Sequence, residues 1–143
     1  MASINAYNDG KKNILNATID LDGDTIKVAL VTSTYSPDID NDADFGDITN
    51  ELAASGGYTA RGQALDNLVI TADDVNNRAV LDGDDETFSA LTPSAPFRYG
   101  IIYKDTGTDA TSFLIAYIDF EVDQDSNGSD YTIEWNSSGI LYI

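Results

Sequence analysis

Phe97–Phe120, FRYGIIYKDTGTDATSFLIAYIDF, reads as a β-hairpin in which two apolar runs flank a polar break containing Asp105, Gly107 and Asp109. Side chains alternate across a strand, so Phe97, Tyr99, Ile101 and Tyr103 are expected on one face of the first arm. In the second arm Leu114, Ala116, Ile118 and Phe120 fall on one face, and Phe113, Ile115 and Tyr117 on the other. Six residues, Asp105 to Ala110, separate the arms, and their Asp, Gly and Thr content suits an exposed loop. Ile102 lies opposite the aromatic face of its own arm, so both faces of the hairpin are apolar and both must be covered. A central pair in a two-layer β-structure meets that demand, as does a pair whose outer face meets another subunit.

Working outward, Thr25–Ser33, TIKVALVTS, is a β-branched run with Ile26, Val28 and Leu30 on one face, and it follows the turn-rich DLDGD at Asp20–Asp24. Leu68–Ala72, Arg78–Asp82 and Glu86–Ala90 read as short strands separated by DDVNN and DGDD turns. Tyr58–Leu65 reads as a short edge strand after Gly56–Gly57. Ser129–Trp135 alternates with Tyr131, Ile133 and Trp135 inward, and Gly139–Ile143 is a final apolar strand. Helix is expected only near the N-terminus, with Asp9 as its cap, and as one turn at Asn50–Ser55. About eight short antiparallel strands with little helix predict an all-β single domain over residues 1–143, of β-sandwich or jelly-roll type, with residues 1–13 as an N-terminal arm.

Composition narrows the chemistry. The chain has no Cys and no His, which excludes disulfides, thiolate metal sites, Ser-His-Asp catalysis and His-ligated metals. Acidic residues outnumber basic ones 25 to 7, and only Glu51, Glu86, Glu121 and Glu134 among the acids are Glu. Asp favours turns over helices, so the bias fits polar loops. A net charge of −18 repels phosphate backbones and anionic lipid surfaces, so neither nucleic acid nor membrane is an expected partner. No apolar run approaches the roughly 18 residues that a membrane-spanning helix needs.

Three blocks carry a resemblance: NELAASGGYTARGQAL at Asn50–Leu65, the hairpin of Phe97–Phe120, and YTIEWNSSGILYI at Tyr131–Ile143. In this order they resemble a family of small virion structural proteins of tailed bacteriophages, whose members are labelled head decoration (cement), tail-associated or fibre-like. The resemblance implies a non-enzymatic role and no catalytic motif. It also implies that Gly57, Tyr58, Gly62 and Leu65 are architectural, glycine for tight backbone geometry and Tyr and Leu for packing.

The long polar segment Thr34–Asn50 is the first place to look for a ligand. Asp40, Asp42 and Asp44 alternate and Glu51 follows Asp40 by eleven residues, the spacing of positions 1, 3, 5 and 12 of an EF-hand loop. Those four are the candidate Ca²⁺ ligands, although Phe45 stands where the loop glycine belongs and Asp47 where an apolar residue does. Glu134, beside Trp135, is the one acid in an aromatic setting and the candidate general acid for a hydrolase. Arg61 and Arg98 are expected to pair with Asp, within the fold or across to a neighbour. Taken together these features predict a capsid decoration protein on the head exterior that docks on the major capsid protein or another virion protein as a homo-trimer. The alternative is a receptor- or glycan-binding module of a tail or head fibre.

Overall fold

The computed structural model describes residues 3–143; Met1 and Ala2, the start of the expected arm, lie outside the described residues. In chain order the elements are β1 (Ser3–Ala6), α1 (Asn8–Leu15), β2 (Ile26–Val31), β3 (Gln63–Ala64), β4 (Val69–Asp73), β5 (Arg78–Asp82), β6 (Glu86–Leu91), β7 (Phe97–Lys104), β8 (Leu114–Gln124), β9 (Ser129–Ile133) and β10 (Leu141–Tyr142). Single 3-10 turns stand at Phe45–Asp47 and Asp109–Thr111. The chain is all-β and its strand pairs are antiparallel. Five strands form one sheet in the order β1-β8-β7-β2-β3, three form a second in the order β10-β5-β4, and β6 pairs β9.

The β7–β8 hairpin is the middle of the large sheet, and each of its faces is buried by the chain itself. On one face Val28, Leu30, Ile102 and Ile118 pack with Leu81, Phe88, Leu91 and Ile133 from the two smaller sheets. On the other, Ala29, Val31, Ile101 and Tyr103 pack beneath Tyr7, Tyr35 and Phe45. The doubly apolar hairpin therefore needs no second subunit to cover it.

Two irregularities correct the expected faces. Ile102 pairs Ala116 but Tyr103 pairs Leu114, leaving Ile115 as an extra residue. Such a bulge breaks the period of two, so Leu114 joins the Tyr103 face while Ile115 and Ala116 both join the other. A second shift, between Phe97 and Tyr99, places Phe97 on the face opposite Tyr99, Ile101 and Tyr103.

Residues 3–13 are not a free arm. β1 pairs with the edge of β8 from Ser3 opposite Asp119 to Ala6 opposite Ala116, and Tyr7 and Asn13 are buried. Four residues that alternate too briefly to read as a strand gain their conformation from the β8 edge. α1 begins after Tyr7, which occupies the N-cap position without a capping side chain; Asp9 sits in the first turn and pairs with Lys12 instead. The turn expected at Asn50–Ser55 is not helical: Glu51 bridges Val31, and Leu52 donates its N–H to the Leu30 carbonyl at 3.0 Å.

The four residues of the Gly57–Leu65 set do have architectural roles. Gly57 and Gly62 hold φ of +76° and +74°, and a Cβ on them would lie 2.3 Å from the Ser89 carbonyl oxygen and 1.8 Å from that of Val28. Only glycine fits such a backbone crossing. Tyr58 and Leu65 are buried in the main core. Tyr58 accepts the Leu30 N–H at 3.0 Å and donates its hydroxyl to Glu51 at 2.7 Å.

Candidate functional site

The acidic loop folds through its own carboxylates. Asp38 accepts from the backbone N–H of Asp40 and Asn41, Asp42 from that of Asp38, Asp44 from that of Gly46, and Asp47 from those of Ala43 and Asp44. These are side-chain-to-backbone turns, for which Asp is suited because its short carboxylate reaches the N–H two to four positions away. The Asn41 amide and the Asp40 N–H hold Asp38 below the usual carboxylate range. The loop is anchored to the fold at two further points. Asp40 accepts from the Asn8 amide at 2.6 Å, and Asp42 accepts from the buried Tyr35 hydroxyl at 2.6 Å. The Tyr35 proton is committed to Asp42, so Tyr7 is the donor in the 2.8 Å contact between the two phenols. Burial, then the bond to Asp42, raises the Tyr35 phenol, and burial likewise raises Tyr7.

In this arrangement the four candidate Ca²⁺ ligands are engaged separately. Asp40 faces α1, Asp42 faces Tyr35, Asp44 caps the 3-10 turn, and Glu51 faces Tyr58, so the four do not converge. Among the described residues there is no group of three or more acidic side chains placed to hold a metal ion. The alternation that matched an EF-hand is the spacing of successive turns.

The densest polar constellation lies under the hairpin loop and joins segments far apart in sequence. Arg61, in the left-handed region at φ +73°, donates to Asp105 at 2.7 Å, to Asp109, and to Ser112 at 3.0 Å. Its guanidinium lies 4.6 Å above the centre of the Phe45 ring. Lys27 reaches the other Asp105 oxygen at 2.8 Å. Burial works to raise the Asp105 carboxyl, but the Lys27 and Arg61 hydrogen bonds overcome it and hold the group at about 2. The same carboxylates raise Arg61 against the cost of its burial. Ser112 is wholly buried and donates to the Thr108 carbonyl at 2.8 Å. No buried side-chain polar atom of this knot lacks a partner among the described residues, and the knot ties the hairpin loop to the rest of the fold. Of the pairings left open by the sequence, Arg61 takes Asp105 and Asp109, and Arg98 takes Asp119 at 2.8 Å, all within the chain.

The Glu86 carboxyl is raised above its ordinary value, by burial first and by Asp66 in addition, with the Gln63 amide opposing. It bonds Gln63 and serves to join β3 to β6. Glu134 is exposed and makes no hydrogen bond or ion pair among the described residues. Its neighbour Trp135 is fixed, with the indole N–H on the Asp84 carbonyl at 2.7 Å and the backbone N–H on the Asp85 carboxylate at 2.8 Å.

Two surface features remain. A pocket of about 410 Å³ lies between the β1 edge and the C-terminal segment, with Ile4, Arg78, Glu134, Trp135, Ser138 and Tyr142 on its walls. Beside it an almost wholly apolar groove of about 110 Å³ runs between α1 and the three-stranded sheet, with Ile14, Ile70, Val80 and Ile143 in its lining. Ile70, Tyr142 and Ile143 are exposed there at 43%, 56% and 56%. The sequence marked Glu134 beside Trp135, which line the pocket, but carried no signal for the groove, because its walls come from α1, β4, β5 and β10, whose proximity is set by sheet pairing. No family model, no curated protein and no solved structure matches this chain.

Proposed function

We propose that this chain is a non-enzymatic structural protein of a tailed-bacteriophage virion, a decoration (cement) protein that docks on the exterior of the capsid shell. The observation that carries the proposal is the apolar groove with Ile70, Tyr142 and Ile143 exposed on an otherwise acidic surface. Six of the seven cations are ion-paired to Asp within the fold, and Lys11 bonds Asn8, so no basic patch is left to meet a phosphate backbone. An exposed apolar strip on a highly charged chain is the composition of a protein-docking surface. The resemblance to virion proteins supplies the partner, a shell protein of the capsid. The charge suits the outer surface of the head, where DNA is not in contact. Because the hairpin is covered within the chain, trimer contacts on the lattice would use the groove and the sheet edges.

The test is gold-conjugated antibody against the purified chain, applied to particles released by cells that carry the sequence. Label over capsid shells supports the proposal, and label restricted to tails or fibres transfers the chain to the alternative role. Absence of label from every particle overturns it. Ile70→Asp with Ile143→Asp, which puts two charges into the groove, is expected to abolish incorporation while leaving the circular dichroism spectrum unchanged.

A further inference from the structure

The pocket beside Trp135 shares Leu141 and Tyr142 with the docking groove and is floored by the core residues Ile118, Ile133 and Ile140, and its walls have the composition of a ligand site. We infer that it binds a neutral sugar unit, with one face of the ring on the Trp135 indole and the hydroxyls directed to Glu134. Its volume, about 410 Å³, is that of a small-molecule site, which typically runs to about 300–1,000 Å³.

Four observations choose this ligand class. First, the indole of Trp135 is held at its N–H by the Asp84 carbonyl and at its backbone by Asp85, so the ring presents a fixed apolar face without needing a hydrogen bond from the ligand. Rigid aromatic surface binds at low entropic cost. Second, the wall includes a second aromatic unit, Tyr142, with the Arg78 guanidinium stacked 4.2 Å from its ring centre and tied through Nε to Asp73 at 2.9 Å. Third, Glu134 is exposed at this pocket with no partner among the described residues, and an ionised carboxylate accepts from two vicinal hydroxyls. Fourth, Ile4 supplies an apolar wall from β1. Apolar faces with a polar rim match a ring that has C–H groups on one side and hydroxyls around its edge.

Charge excludes the competing classes. A phosphate, a nucleotide or a uronic acid would meet Glu134 inside a chain of net charge −18, and the one cation of the wall among the described residues, Arg78, is already paired to Asp73. The inference does not rest on the virion reading; a sugar site is compatible with a capsid, a tail or a different setting altogether.

Trp135 is the only tryptophan, so its emission reports on this pocket alone. The experiment titrates the purified chain with neutral hexoses, N-acetylhexosamines and their oligomers, with glucuronic acid and glucose 6-phosphate as charged controls. At least one neutral sugar is expected to give a saturable change in emission, and the charged controls none. Glu134→Ala, at an exposed position, is expected to weaken that sugar roughly tenfold, the loss of a charge-assisted hydrogen bond. Calorimetry on Trp135→Ala is expected to detect no binding, while Val122→Asp, exposed on β8 and outside both the pocket and the groove, leaves the titration unchanged. A flat titration for every neutral sugar to tens of millimolar overturns the inference. So does binding that survives both pocket substitutions, or tighter binding of the charged controls.

Discussion

Replacing Asp105 by Asn tests whether the Arg61 knot holds the hairpin loop to the rest of the fold. Asp105 is 10% exposed and stands between Arg61 and Lys27, which are 23% and 24% exposed. Its carboxyl falls from an ordinary 3.8 to about 2, because the two cations outweigh the effect of burial. At 1.36 kcal/mol per pH unit that drop corresponds to roughly 2.5 kcal/mol of stability. Asn keeps the shape but leaves two partly buried cations without a charge partner, which brings the expected loss at pH 7 to about 2–4 kcal/mol. In urea, followed by Trp135 fluorescence, the midpoint is expected to fall by about 1–2 M. The sign of the pH dependence is fixed by the direction of the shift. A carboxyl depressed in the folded state stabilises fully above its unfolded value, and that stability is lost as pH falls from about 4 towards 2. The gap between wild type and Asp105→Asn is therefore expected to narrow by about 1 kcal/mol at pH 3. A gap under about 0.5 kcal/mol at pH 7, or one equally large at pH 3, would refute the reasoning.

Adjacent glycines provide a second test. Gly57→Ala is expected to cost more than about 3 kcal/mol or to prevent folding, because its φ is +76° and the new Cβ meets the backbone of Ser89 and Leu91. Gly56→Ala is expected to change stability by less than about 1 kcal/mol, since its Cβ would make only an ordinary contact with Thr92 at 3.5 Å. Equal urea midpoints for the two variants would remove the structural distinction. Calcium gives a third. Because Asp40, Asp42, Asp44 and Glu51 are directed to four different partners, EDTA and millimolar Ca²⁺ are expected to leave the thermal midpoint unchanged at constant ionic strength. A Ca²⁺-specific rise of several degrees that Asp42→Asn abolishes would restore the metal site.

The all-β class and most of the strands were legible in the sequence because they rest on relations between near neighbours. The period of two in Ile26–Val31, Arg78–Asp82 and Ser129–Ile133, and the turn residues between them, are local properties. The hairpin was legible too, but its faces were not. The bulge at Ile115 depends on how β7 and β8 settle into register, and a single extra residue puts Leu114 and Ala116 on opposite faces. β1 escaped notice for a related reason, since Ser3–Ala6 is extended by virtue of the β8 edge it joins.

The candidate site divides in the same way. Alternating Asp in a loop is compatible with metal binding and with a chain of turns, and the sequence alone contains no information on where each carboxylate points. The pairing of Arg61 with Asp105 spans 44 residues and required the folded chain to select one acid out of 25. The pocket beside Trp135 is assembled from β1, β5, β8 and the C-terminal segment, four parts of the chain with no local relation. The sequence by itself determined an acidic all-β chain without His or Cys chemistry, because composition and short-range periodicity carry that much. Only the tertiary structure decided which carboxylates are buried partners, which glycine of a pair is indispensable and where a ligand could sit, because each depends on contacts between residues that the chain order keeps apart.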